Sequence, residues 1–510
     1  MVANKSGKMF LSNSTLVGFE SLNGFFDMHG FWTAVVVTLL LGVLCSFFFQ
    51  RSDSAFWVRV RYVVGFILSI DFLLFWLVPI AAQGAFFKLV LMPFVCPLFD
   101  RFDRSPVLRS FAAKYIYRNP RHADFFMTQL MFLVNFGFHL ALALYWQLEY
   151  GKLSWGVIAV YNFGWVGIGG RAMGALYSIA HKEGHNTMIY KSWIRNTLGN
   201  VFENWVGLFY GSVPYNFTTS HISLHHRVDG GVGDTLYAWD FERCSFTDFV
   251  TYSSRGLVHM SGLGGLWVFW HSPRKIDSVR NFNKLLFGVT WYWVMFPAVL
   301  FYFIPSASFY FWIIIQPLLC MSLFITLLNG GYHAFIETEK IPCVESANLL
   351  ASLDDYFGEN DHMAHHTNPE IYYRDLPEFH HTQQKLWAKH NATVFQGVDP
   401  LSYSFFVLLK AWPILAERYV DFSGKLSKKE IEVMLETRSK RIEMEHTRLM
   451  PLLDKTFLKK DRPVKTLQRE SGGRMYEWFM SHSKKWQLLV AGKINEGMPP
   501  IQSVKLMKEL

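Results

Sequence analysis

The fold class this sequence predicts is an all-α membrane protein, a multi-pass helical bundle of about four to six spans with a histidine-rich cytosolic cap. Composition is the first reason. Of 510 residues, 51% are apolar and only 17% charged, where soluble domains average about 25% charged. Phe alone occurs 48 times. The second reason is that the apolar residues fall in runs near the roughly 20 residues a spanning helix needs. The third is that the histidines cluster between those runs, on what the charge pattern makes one side of the membrane.

In chain order the expected spans are 31–49, 63–82, 125–146, 156–179, 285–304 and 309–328. The fourth is rich in glycine and polar at its end. The stretch 86–98 is too short to span and holds two prolines, so it is expected in the interface. Only residues 305–308 separate the last two runs, which predicts a tight hairpin. The loop 84–122 carries Lys88, Arg101, Arg104, Arg109, Lys114, Arg118 and Arg121, whereas the loop after the third span has Lys152. Basic loops stay in the cytosol. Residues 181–284, 329–510 and both termini then share the cytosolic face. Domains follow as a cytosolic N-terminal segment 1–30, a membrane domain 31–382 and a cytosolic, amphipathic, basic region 383–510. From Asp421 onward there are 19 Lys and Arg against 12 Asp and Glu, and 428–449 mixes charged and apolar residues at helical spacing.

Several classes are set aside. Net charge is +9, but beside membrane runs an anionic leaflet is the natural partner rather than nucleic acid. Five scattered cysteines form no CxxC, and suit a reducing compartment. The N-terminus shows no short signal-peptide core, so the first run reads as a retained anchor. Gly230–Gly233 lacks a Walker lysine and a strand–helix setting for phosphate binding. The sequons at Asn4, Asn13, Asn216 and Asn391 all fall on the cytosolic side and should be unused.

Four clusters carry the chemistry: His181 and His185; His221, His225 and His226; Asn329 and His333; His362, His365 and His366. On a helix, residues four apart share a face, so His181 and His185 suit one metal, as do His221 and His225. His226 lies about 100° further round and reaches a second metal. His362 pairs with both His365 and His366. Nine imidazoles exceed one zinc site, which takes four ligands. Ten donors divide into two sites of about five. Imidazole serves iron, zinc and copper alike, so ligand type does not choose the metal. At this histidine content an HxxHH pattern is expected about 0.03 times by chance.

HxxxH, HxxxHH and HxxHH, in this order between membrane hairpins, resemble the three histidine boxes of the membrane fatty acid desaturase and alkane hydroxylase superfamily. The resemblance covers about residues 180–382. It implies two Fe ions held at the cytosolic face by His181, His185, His221, His225, His226, Asn329, His333, His362, His365 and His366, with O2 as co-substrate. NGGYH at 329–333 fits the NxxxH pair of stearoyl-CoA-type desaturases and lacks the Tyr and Glu of the hydroxylase NYxEH. The stretch after the last box, HHTNPEIYYRDLPEFHH, is similar to the desaturase continuation.

Glu183, Asp229, Asp234 and Asp361 lie in or beside the boxes, either supporting imidazole N–H groups or as plain loop acids. His380 and His381 read as surface or supporting residues, and His139 and Asp71 as lone polar groups in spans. His259 and His271 fit no spacing. The leading expectation is an O2-dependent desaturase of a long acyl chain of a lipid. A fatty acid or alkane-type hydroxylase uses the same site; a metal-ion transporter is the alternative from another class, but it would place ligands near the bilayer midplane. No HPGG heme motif is fused, so electrons must come from an external donor, cytochrome b5-like or ferredoxin/rubredoxin-like. The expected location is the endoplasmic reticulum, with the active site facing the cytosol. Aromatics near the boxes, Trp165, Trp205, Phe209, Tyr210 and 291–293, are candidates to line a substrate tunnel.

Overall fold

A computed structural model of the chain describes residues 2–3, 9–10, 55–74, 101–162, 164, 169–228, 230, 233–271, 276–337, 341–352, 357–442, 484, 487–498 and 501. These are mostly helical, with few strands. The expected runs 31–49 and 86–98, and Trp165, lie outside the described residues. Helix α1, Ala55–Phe72, covers the start of the expected second span. Among the described residues three stretches are long and apolar enough to cross a membrane: Pro120–Tyr150, Ser278–Phe303 and Ala307–Tyr332. They match the expected third, fifth and sixth spans, the third and sixth extended at both ends and the fifth starting earlier, at Ser278, and ending one residue sooner, at Phe303. The expected fourth span is described as two helices, Trp155–Tyr161 and Gly169–His185.

The hairpin at 305–308 forms as expected. Ser306 caps the last span by accepting the Phe309 N–H at 3.2 Å. That span is the inner one. In its most apolar window 78% of residues are buried, against 28% and 33% for the other two, whose outer faces expose Val134, Phe138, Tyr302 and Phe303. Its second half, α2 (Gln316–Tyr332), packs against α1, against Phe246–Met260 and against Pro400–Leu408. The approach is close enough that a Cβ at Gly256 would overlap Thr326, and one at Gly331 would overlap Ser404. Small residues let helices meet in this way. Burying this helix fixes its C-terminal end, where Asn329 and His333 stand.

The cap gathers around that end. Strand β1 (Asn348–Leu350) pairs in parallel with β2 (Val394–Gln396), Leu349 opposite Phe395. The pairing closes the chain around the short helix His362–Thr367. Helix Lys428–Lys440 starts at a capping box between Ser427 and Glu430. Its Arg438 reaches Glu337 at 2.7 Å and the carbonyls of Asn391 (2.7 Å) and His390 (3.1 Å). Buried Arg243 donates to the carbonyls of Ala334 (2.9 Å), Arg438 (2.9 Å) and Arg441 (2.6 Å). Guanidiniums with several donors in a fixed fork thus tie the segment after His333 to residues 383–442.

Candidate metal centre

Helix Gly169–His185 presents His181 and His185 one turn apart, as the four-residue spacing requires. The second box departs from that rule. Residues Phe217–His225 are π-helical, so residues five apart line up rather than four. His221 therefore meets His226, Nε2 to Nε2 at 2.8 Å, while His225 turns away. This corrects the expected pairing of His221 with His225. The third box also divides. His362 Nε2 lies 3.1 Å from His366 Nε2, but His365 joins the other group.

The nine histidines form two groups, His181, His185, His221, His226 and His365, and His225, His333, His362 and His366. In each, one nitrogen per residue lies within 4.8 Å of all the others. His181 and His221 face each other at 2.5 Å, and His362 and His333 at 3.0 Å, through Nε2. Metal–nitrogen bonds of about 2.0–2.1 Å place neighbouring ligands roughly 2.9–3.4 Å apart, which is the scale of these contacts. His185 Nε2, His226 Nδ1 and both ring nitrogens of His365 are buried with no hydrogen-bond partner. Burial, reinforced by neighbouring imidazoles, lowers the pKa of His185 to about 2 and depresses His221, His226, His362 and His365 as well. Neutral imidazoles with inward-facing lone pairs are what a metal needs. The donor set fits two metal ions.

Outer partners set the ring orientations. His181 Nδ1 meets Glu359 at 2.7 Å, and Glu359 also pairs with Lys182 at 3.0 Å. Burial raises the Glu359 pKa, yet His181 and Lys182 outweigh it and hold the carboxyl at about 2. His225 Nδ1 donates to Asp234 at 2.6 Å, and Asp234 also accepts the N–H groups of Leu236 (2.8 Å) and Gly230 (3.0 Å). His333 Nδ1 donates to the Glu345 carbonyl at 2.8 Å. An Nδ1–H committed outward leaves Nε2 as the inward lone pair.

Asn329 sits one turn before His333, and its Nδ2 donates to the Tyr252 hydroxyl at 2.9 Å. Of the acids singled out from sequence, Asp234 contacts a clustered histidine; Asp361 instead bonds His380, and Asp229 lies outside the described residues. Glu183 points away from the centre. It accepts Tyr190 O–H and the N–H groups of Phe202 and Glu203, both at 2.9 Å, and burial raises its pKa to about 8. His259 bonds Thr235 at 2.6 Å. Glu359 was missed by sequence reasoning; the available signal was an acid three residues before His362.

Residues 157–398 match the family model described as fatty acid desaturase. No curated protein and no solved structure matches the chain. All nine clustered histidines and Asn329 fall inside the matched segment. That match is consistent with the membrane fatty acid desaturase superfamily.

Proposed function

We propose that the protein is an O2-dependent di-iron desaturase that introduces a double bond into a long acyl chain of a lipid. The observation that carries this reading is the division of nine histidines into two adjoining groups inside the desaturase-family segment. The ligands proposed are those nine with Asn329, whose amide oxygen is the donor left once Nδ2 bonds Tyr252. When bound, the two irons supply activation of O2 against an unactivated C–H bond.

The protein's own part is placement. Asp234, Glu359 and the Glu345 carbonyl hold three imidazoles in one tautomer, so the metal-facing nitrogens need no rearrangement. The rings of Tyr177 and Phe217 stand against His181 and exclude water from that side. A substrate chain reaches the centre through a tunnel between the spans. Tyr210, Tyr292 and Trp293 are buried in the main apolar core, and Phe209 packs between Phe136 and Phe296. The membrane domain 31–382 supplies this path, the endoplasmic reticulum is the membrane, and the cap faces the cytosol, where a cytochrome b5-like or ferredoxin/rubredoxin-like donor delivers electrons.

None of the nine histidines lies within the three candidate spans, which argues against a transporter with ligands at midplane. Hydroxylation shares the first hydrogen abstraction. Expression in a host of known lipid content, followed by mass spectrometry of its acyl chains, tests the proposal. A new double bond is expected; a hydroxylated chain would replace desaturation by hydroxylation, and an unchanged profile from iron-loaded protein with a working donor would overturn both.

A further inference from the structure

Where the span Pro120–Tyr150 begins, the surface carries an open cleft of about 490 Å³ that the histidine centre does not use. Arg109, Arg121, Arg374, Tyr372 and Asp124 line it, with small residues such as Ala113 between them. Three guanidiniums face it beside Asp124, and two further carboxylates pair with them from outside the lining, Asp103 with Arg109 at 3.1 Å and Asp375 with Arg121. Asp124 is shared, meeting Arg109 at 2.6 Å and Arg374 at 2.7 Å. Arg121 forms a bidentate pair with Asp375 at 2.6 and 3.0 Å, and lies over the Tyr372 ring at 4.1 Å. These contacts hold the guanidiniums in place, and among the described residues they engage only part of the five N–H donors each one presents.

Depth identifies the occupant. Pro120 both lines the cleft and starts the span, so the cleft opens at the level of the lipid headgroups. The neighbouring helix, Pro106–Tyr115, exposes Val107, Phe111 and Tyr115 at four-residue intervals. Exposed Trp193 donates its indole N–H to the Tyr115 carbonyl at 2.8 Å. An apolar helical stripe with Trp and Tyr beside a span lies at the boundary between headgroups and acyl chains. The far wall belongs to the catalytic cap, because Tyr372 and Arg374 follow His366 by only six and eight residues. Tyr373, between them, packs on Phe357.

We propose that this cleft binds a phosphate group of the lipid substrate or of its acyl carrier, with Arg109, Arg121 and Arg374 as donors. It rests on the reading of the protein as an enzyme acting on acyl chains. Guanidinium forks match phosphate oxygens two at a time, and a phosphate anchored here fixes one end of a substrate whose chain enters the membrane domain.

The test is ligand retention by the full-length protein in detergent, read by native mass spectrometry, with iron measured on the same sample. The probes are phosphatidylcholine, the phosphate-free diacylglycerol, an acyl-CoA thioester and inorganic phosphate. Arg121→Gln with Arg374→Gln is expected to weaken phosphatidylcholine or acyl-CoA binding about tenfold. Diacylglycerol binding and iron content should not change. Arg121→Lys with Arg374→Lys keeps the charge but not the fork, and should fall between. Loss confined to phosphatidylcholine assigns the phosphate to the bilayer lipid; loss confined to acyl-CoA assigns it to a soluble carrier. Overturning results are equal binding of every phosphate ligand by wild type and variant, or an effect on inorganic phosphate alone. Iron-free protein that still binds phosphatidylcholine through these arginines would leave the cleft standing while the metal reading fell.

Discussion

Replacing Asp234 by asparagine should weaken one metal site and spare the other. Asp234 has no exposed surface and accepts three hydrogen bonds, from His225 Nδ1, Gly230 N–H and Leu236 N–H. Asparagine keeps a single acceptor oxygen, so at least one of these donors faces an NH₂ group. It also removes the negative charge that faces the His225 Nδ1–H. Losing such an outer partner costs about 10–100-fold in metal affinity, equivalent to roughly 1.4–2.7 kcal/mol. Alanine removes all three acceptors. At about 1–3 kcal/mol for each stranded buried donor, that variant approaches the whole stability of a typical domain, so asparagine is the usable probe. The assay is chelator competition on iron-loaded protein, following release of each metal. Wild type should release its irons together or nearly so, and Asp234→Asn should release one at 10–100-fold lower chelator concentration. Release of both irons unchanged, or equal loss of both, would refute the division of the histidines into two groups.

Neighbouring histidines should behave as members of different sites: His226→Ala empties the group containing His181, and His225→Ala the group containing His333, as read by iron content and spectroscopy of the remaining metal. Metal-free protein should lose stability as the pH falls. His185 has its folded pKa depressed to about 2, so an unfolded chain, whose imidazoles titrate near 6.5, binds more protons below about pH 6.5. A Tm in detergent that declines from pH 7.5 to 5.5 is expected; a flat profile would contradict it. Gly331→Val should lower Tm through overlap with Ser404, by about 1–3 kcal/mol of overpacking, and an unchanged Tm would count against the close helix approach. Asn216 is buried and donates to the His259 carbonyl at 3.0 Å, so deglycosylation of purified protein should cause no shift in mass from this sequon.

Spacing made the histidine clusters legible, because each box is a local pattern. A division into two sites was legible from the number of donors, but which histidine joins which group was not, because it depends on a π-helical turn at Phe217–His225 that no composition rule announces. Hydropathy located the spans Ser278–Phe303 and Ala307–Tyr332 and the turn between them. It could not rank them by burial, since lipid-facing and buried helices are equally apolar. Glu359 and Tyr252 escaped notice because their partners, His181 and Asn329, lie 178 and 77 residues away in the chain. The residues from Asp421 onward read as a solvated, basic cytosolic tail. Arg438, one of its charges, is instead buried against Glu337 and two carbonyls, a role that charge counting cannot separate from solvation.

Metal analysis of the purified full-length protein tests the central claim most directly. Two irons per chain are expected, falling to about one in the His225→Ala and His226→Ala variants alike. One zinc per chain with no iron, or two irons retained when His226 is replaced, would contradict the account.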